Sequence, residues 1–305
     1  MSGRAQPLMR VDEWLQAPAP AERLAGLRIA IGGFVTLYLA ANVREFARLD
    51  NRPVVEFEPI GFARLLDQPI PAPALWIGFA GLMVLGIAFT LGVAYRAVGP
   101  AFALGVLAWT SYHSSWGQLL HFEHLFTLHL LILALAPAAD AWRIGQSAPP
   151  SADVRYGWPI RLLALATAAT YVLSGIAKLR HTGFAWFDPD TLATHIGYSA
   201  TRMETIGGPT PPLAEVVLDN SWLIGPMAIA ALAIELGAPV ALVGGRARNV
   251  WVVAALGFHA ATAATMLVFF GYRGLGIGLL PLFAVERVPD RLRSFSRRRR
   301  AAWSR

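Results

Sequence analysis

Long apolar runs alternate along the chain with shorter polar segments. A helix needs about 20 mostly apolar residues to cross a bilayer. One span each is predicted for six runs: 27–43, 74–95, 97–112, 119–137, 160–179 and 222–243. A further run, 250–285, is too long for one span and is expected to divide at the Gly271-Tyr272-Arg273-Gly274 segment. The pattern therefore predicts an all-α integral membrane protein, a bundle of about eight transmembrane helices.

Composition agrees with this interpretation. Of the 305 residues, 55% are apolar and 15% are charged, against about 25% charged residues in soluble domains. A soluble fold of this size could not bury so much apolar surface, whereas lipid can cover it. The chain has no cysteine, which excludes disulfides, thiolate nucleophiles and cysteine-bound metals.

The charges between the apolar runs predict the orientation, because cytoplasmic segments are rich in Lys and Arg. With the N-terminus inside, the outer loops are 44–73 and 180–221, where acids equal or outnumber bases. The cytoplasmic segments then contain these arginines: Arg4, Arg10, Arg23, Arg96, Arg143, Arg155, Arg246 and Arg248. Both termini are thus predicted to be cytoplasmic.

Three regions follow from this arrangement. Residues 1–24 form a cytoplasmic segment, 25–285 the transmembrane domain, and 286–305 a basic cytoplasmic tail with a run at Arg297–Arg300. We expect the tail to bind anionic lipid and expect no nucleic-acid partner. The expected location is the cell membrane, as a multi-pass protein of the bacterial cytoplasmic membrane.

Polar residues inside apolar runs mark candidate sites, because they are costly in lipid. The fourth run carries His121, His124 and His129, which fall within an arc of roughly 140° on a helix. Lys178 ends the fifth run, near the same outer leaflet as His121 and His124 under this topology. We therefore expect Lys178 and one of these histidines to lie within about 10 Å of each other, facing one cavity.

Structural roles compete with this hypothesis. Each histidine can simply bond to a neighbouring helix, and Lys178 can extend to the headgroups. Glu235 in the sixth run and His259 in the seventh can pair with each other. A His-x-x-His spacing fixes no third ligand, so no metal site is predicted.

The segment Tyr171-Val172-Leu173-Ser174-Gly175-Ile176-Ala177-Lys178-Leu179, followed by Trp186, resembles a motif of the HTTM family. This horizontally transferred transmembrane family includes vitamin K-dependent γ-carboxylase. Further likenesses are Leu27-Arg28-Ile29, Pro59-Ile60-Gly61, Pro137 to Trp142 and Phe258-His259. Their order and spacing extend the resemblance over roughly residues 23–285.

The resemblance implies a chemistry. In γ-carboxylase the motif lysine is regarded as the base that deprotonates reduced vitamin K, a role that would map to Lys178. A functional histidine of the fourth span would correspond to His121 or His124. We expect the remaining pocket residues to be His129, Trp186, Tyr171 and His259. The implied substrate or cofactor is a lipophilic hydroquinone that O2 oxidises.

The implied carboxylation of a protein substrate is not expected here, because the chain ends at Arg305, soon after its last predicted span, and the carboxylase has a large lumenal domain. The Gly-x-x-Lys-Leu run also resembles small DoxX-like membrane proteins, which are linked to quinone oxidation. The alternative function is a non-enzymatic HTTM membrane protein for export, maturation or immunity of a secreted peptide. Whether the chain is an enzyme stays open at this point. A transporter would need paired broken helices in an internal repeat, and the sequence contains no such repeat.

Overall fold

The computed structural model describes residues 5–49, 52–119, 121–145 and 148–288. Its long helices are α2 (Ala21–Ala41), α4 (Ala72–Leu91), α5 (Tyr95–Ser114), α7 (Val154–Thr182), α8 (Pro189–Thr205) and α12 (Gly245–Met266). The shorter ones are α1 (Ala5–Gln16), α3 (Val43–Leu49), α6 (His124–Ala134), α9 (Ala214–Asp219), α10 (Ile224–Leu236), α11 (Val240–Val243) and α13 (Gly271–Gly274). The described residues form no β-strand; one isolated bridge joins Ala19 and Asp153.

Several helices suit a bilayer. Within the described residues, four are long and apolar enough to cross one: 21–41, 72–91, 245–266 and the helical stretch 154–187. Shorter apolar helices cover 121–134 and 221–236. The all-helical membrane character predicted from the sequence is therefore confirmed.

The chain divides into two compact units. The first unit comprises the described residues up to Leu163 together with those from Phe283 onward, and the second comprises Ala164–Leu282. Helix α7 contributes residues to both units.

In the first unit, α2 packs against α4 and α6, and α5 packs against α4 and α6. Small residues allow the close approach of α2 and α4. A Cβ added at Gly32 would lie 2.5 Å from a ring carbon of Phe89, and one at Gly86 would overlap the Thr36 hydroxyl oxygen. Glycines at helix contacts are typical of membrane bundles, where packing rather than hydrophobicity joins the helices.

The two sequence ends of the first unit meet. The Arg23 guanidinium, near the start of α2, donates two hydrogen bonds to the Glu286 carboxylate at 2.8 and 2.9 Å. The side chain of Val285 also packs beside Gly26. The segments that precede α2 and follow Phe283 therefore lie at the same end of this unit.

In the second unit, residues 267–282 return along α12. The chain leaves the end of α12 at Leu267, and the Arg248 guanidinium at the start of the same helix bonds to the Leu282 carbonyl at 2.9 Å. A helix of 22 residues is about 33 Å long, and residues 267–282 run back over most of that length. They do so as an irregular segment at 267–270, the short helix α13 and a 3-10 helix over Ile277–Leu282.

Details of the predicted pattern need correction. The expected break at residues 271–274 is helical, and the interruption lies at 267–270, because Leu267 adopts a left-handed conformation with φ of 51° that ends α12. Both predicted outer loops contain helices: α3 in the first, and α8 and α9 in the second. The basic run at 297–300 lies outside the described residues.

Candidate functional site

The second unit places Lys178 beside a buried acid. The Nζ of Lys178, in the last turns of α7, lies 2.5 Å from Oε1 of Glu235 on α10. The Lys178 side chain is 25% exposed and that of Glu235 is 4% exposed. The other carboxylate oxygen of Glu235 is buried and accepts no hydrogen bond from the described residues. Protein therefore covers the Glu235 side of this ion pair, whereas the Lys178 side chain is partly exposed at the protein surface.

Trp186 forms the aromatic side of this site. The Lys178 ammonium lies 5.3 Å from the centre of the Trp186 ring, a distance at which a cation is attracted to the ring face. Trp186 is buried and its indole N–H donates to the carbonyl of Ala228 at 3.1 Å. That hydrogen bond fixes the ring against α10, the helix that carries Glu235.

Gly175 explains the Gly-x-x-Lys spacing. A Cβ added there would lie 2.8 Å from a methyl carbon of Leu236 and 3.2 Å from the Cβ of Glu235. Only a residue without a side chain allows α7 and α10 to approach so closely. Residues three apart share a helix face, so Lys178 reaches the same part of α10 that Gly175 contacts.

The same face of α7 carries a second polar pair. The Tyr171 hydroxyl lies 2.7 Å from Nε2 of His259 on α12, and both side chains are buried. Arg273 places its guanidinium 5.1 Å from the centre of the Tyr171 ring. The Nδ1 atom of His259 has no hydrogen-bond partner in the described residues. The structural pairing of Glu235 with His259 is therefore wrong: each has a different partner.

The fourth-run histidines occupy different environments in the first unit. His121 and His124 are exposed, whereas His129 is fully buried with Nε2 3.1 Å from the Leu163 carbonyl. Lys178 belongs to the other unit, so its proximity to His121 or His124 stays a prediction.

A further polar cluster in the first unit was missed from the sequence. The Tyr38 hydroxyl donates to Glu123 at 2.6 Å, and Nδ1 of His113 lies 3.4 Å from the same carboxylate oxygen. Glu123 is fully buried, and its second oxygen accepts no hydrogen bond within the described part of the chain. These residues come from α2, α5 and the start of the fourth run, and no spacing in the sequence links them.

The partner of Lys178 did leave a signal in the sequence. Glu235 is the sole charged residue between Ser221 and Gly245, and a lone charge in an apolar run needs a partner. Arg273, a charged residue within the apolar run 250–285, gave a similar signal. Across the described residues no group of three His, Asp or Glu side chains is placed to hold a metal ion.

Comparison with known proteins agrees with the motif around Lys178. No curated protein and no solved structure matches the chain. The HTTM domain, in contrast, matches residues 16–284, which include α2, α12 and every residue of the Lys178 site. The chain therefore belongs to the HTTM family.

Proposed function

We propose that the protein is a membrane enzyme in which Lys178 takes a proton from a lipophilic, hydroquinone-like substrate. The observation that carries this proposal is the 2.5 Å contact between Lys178 and Glu235. A lysine acts as a base only when its amine is neutral. The Glu235 carboxylate, in contact with the amine, is the group that would take the ammonium proton before the substrate reaches Lys178.

The chemistry of these residues suits a hydroquinone. A substrate hydroxyl that reaches Lys178 transfers its proton to the neutral amine, and the resulting ammonium stabilises the substrate oxyanion. Trp186 offers a flat apolar surface for an aromatic ring. Oxidation of the anion by O2 is the further step that the resemblance to γ-carboxylase implies.

The proposal includes eight spans with both termini in the cytoplasm. Supporting features are the four long apolar helices, the shorter apolar helices 121–134 and 221–236, and the 20-residue helix α5. The eighth crossing is the return of residues 267–282 along α12. The Arg23–Glu286 pair supports termini on one side. Reporter fusions that place residue 200 in the cytoplasm would refute this topology.

The test of the base compares Lys178→Arg with the wild-type protein. Arg keeps the positive charge beside Glu235 but cannot lose its proton, so we expect a folded protein without hydroquinone turnover. Arg180→Gln is the matched control, since Arg180 is exposed two residues away. Full activity of Lys178→Arg would reject the base. Mass spectrometry of lipids extracted from the purified protein should identify a bound quinone.

The alternative, a non-enzymatic protein for export, maturation or immunity of a secreted peptide, predicts a different result. Lys178→Arg would then preserve the peptide phenotype, and no quinone would copurify. For the enzyme we also expect His121→Ala or His124→Ala to lower turnover less than Lys178→Ala, because a histidine that orients the substrate is not the proton acceptor.

A further inference from the structure

Each of the three apolar segments of the second unit carries a single charged residue. These are Lys178 in 164–179, Glu235 in 222–243 and Arg273 in 250–282. Lys178 and Glu235 form an ion pair, and this pair is neutral in total whether the proton rests on the amine or on the carboxylate. An arginine stays protonated, so Arg273 leaves these segments with one net positive charge.

The guanidinium of Arg273 has no hydrogen-bond acceptor within the described residues, and its nitrogens are not among the buried unpaired atoms there. The half-buried side chain therefore presents N–H groups that a ligand can reach. Its contact with protein is aromatic, because the guanidinium carbon lies 5.1 Å from the centre of the Tyr171 ring. A charge that faces hydrocarbon is costly, and charged residues inside membrane segments usually face a partner or a functional cavity. The unpaired donors of Arg273 indicate that this partner is a ligand.

Arg273 lies beside the face of α7 that carries Lys178. Tyr171, which the guanidinium contacts, and Lys178 are seven residues apart, so they share a helix face and are separated by about 10 Å along the axis. Arg273 also acts electrostatically on Glu235, the partner of Lys178. The Tyr171 ring is held by the contact of its hydroxyl with His259 at 2.7 Å. The two cationic groups therefore border one region along α7.

Two donors with this spacing suit a ligand that has oxygen atoms on opposite sides of an apolar body. A hydroquinone ring has this form, and with a hydrogen bond of about 3 Å at each oxygen it bridges a gap of this size. Aromatic side chains stand beside both donors, Tyr171 at the guanidinium and Trp186 at the amine. Such side chains favour an aromatic ring over an inorganic anion, which has no apolar surface to offer them.

We propose that Arg273 binds the second oxygen of the aromatic substrate whose first hydroxyl lies at Lys178. The inference rests on the proposed function and assigns the residue that fixes the orientation of the ring. A guanidinium donates hydrogen bonds and keeps its charge, so it holds this oxygen as a hydroxyl and, after oxidation, as a carbonyl. Because a nearby positive charge favours the charged form of an acid, the site should bind aromatic anions more tightly than neutral analogues.

Isothermal titration calorimetry of the full-length protein in mild detergent tests the proposal with two probes. Lawsone, a hydroxynaphthoquinone, is an anion at neutral pH, and its methyl ether is a neutral analogue. We expect the wild type to bind lawsone at least about tenfold more tightly than the ether, and Arg273→Gln to lose this preference. Lys178→Arg should keep it, since the charge remains. The control Arg202→Gln, which removes an exposed arginine of α8, should bind both probes like the wild type.

This measurement needs no turnover, so the binding residue and the base can fail separately. An active Lys178→Arg variant that still prefers lawsone would reject the base and support Arg273. An inactive Lys178→Arg variant, together with wild-type affinity of Arg273→Gln for lawsone, would support the base and reject Arg273.

Two further results would overturn the assignment: equal affinity of the wild type for both probes, or displacement of lawsone by an equal concentration of inorganic phosphate. A purely structural contact of Arg273 with Tyr171 predicts a lower unfolding midpoint for Arg273→Gln with unchanged affinity for lawsone. If Arg273→Gln does not fold, Arg273→Lys replaces it, because lysine lacks the planar fork of donors. A loss of lawsone affinity below about threefold in that variant would also reject the proposal.

Discussion

Removing one partner of the Lys178–Glu235 pair should destabilise the protein, and removing both should not. At the observed 2.5 Å, two unit charges attract by roughly 7 kcal/mol at an effective dielectric constant of about 20. Desolvation of both groups offsets most of this attraction. The pair therefore contributes little net stability, but each member depends on the other.

The single variants should show this dependence. Lys178→Met leaves the Glu235 carboxylate, 4% exposed, without its counter-ion. Loss of one partner of a buried pair costs about 3–5 kcal/mol. We expect the lower end, about 3 kcal/mol, because water reaches the lysine, which is 25% exposed. The Lys178→Met/Glu235→Leu variant should lie within about 1 kcal/mol of the wild type.

The assay is reversible unfolding in mixed detergent–SDS micelles, followed by circular dichroism. A coupling energy of at least about 2 kcal/mol in the double-mutant cycle is expected, because the single losses exceed the loss in the double variant. Arg180→Met is the control for loss of one exposed positive charge from the same helix, and it should leave stability unchanged. Additive effects of the two substitutions, or wild-type stability of Lys178→Met, would refute the reasoning.

Other contacts give further expectations. Gly175→Ala forces a methyl group against Leu236 and Glu235. It should lower the free energy of unfolding by about 1–3 kcal/mol and reduce hydroquinone turnover. The control Gly225→Ala, whose methyl group meets nothing within 4 Å, should leave both quantities unchanged. Tyr171→Phe leaves the buried Nε2 of His259 without its partner and should cost about 1–3 kcal/mol, measured as a lower unfolding midpoint. Burial raises the pKa of Glu286, but the hydrogen bonds and charge of Arg23 outweigh it and hold that pKa below its usual value. The Arg23–Glu286 pair therefore stabilises the folded protein fully above the pKa of Glu286 in the unfolded chain, about 4.3. This stabilisation is lost as the pH falls through the lower pKa of Glu286 in the folded protein. Thermal unfolding between pH 6 and 3 should thus show a larger acid loss for wild type than for Glu286→Gln; parallel curves would contradict this.

The apolar runs predicted most of the helices because lipid selects for hydrophobicity whatever the neighbouring helix is. The run 74–95 corresponds to the helix Ala72–Leu91, and the run 97–112 to Tyr95–Ser114. The helix Pro189–Thr205 was predicted as part of an outer loop, because polar residues interrupt its apolar ones and no long apolar run marks it. The part of the run 250–285 after the break at 271–274 was expected to form the last span, but it contains only the 3-10 helix Ile277–Leu282, which follows the left-handed residue Gly276.

The site was predicted less completely than the helices. The motif located Lys178 and Trp186, which the structure brings together. The sequence did not identify Glu235 as the partner of Lys178. Whether Glu235 lies beside Lys178 or beside His259 depends on which face of α10 packs against α7. Contact at Gly175 and Leu236 decides that, and no sequence spacing records a contact between residues about 60 positions apart.

The Lys178–Glu235 pair is not needed to hold its helices together. Helix α10 already receives hydrogen bonds from Trp186 at Ala228 and from Trp251 at Ile234, at 3.1 and 2.9 Å. Apolar side chains in place of a buried ion pair are often neutral or stabilising. Since packing and these indole bonds already join the elements, stability does not require the pair, and the proposed role of Lys178 as a base would give it another purpose. A double-mutant cycle with strong coupling and an inactive but stable Lys178→Arg variant would together separate these two roles.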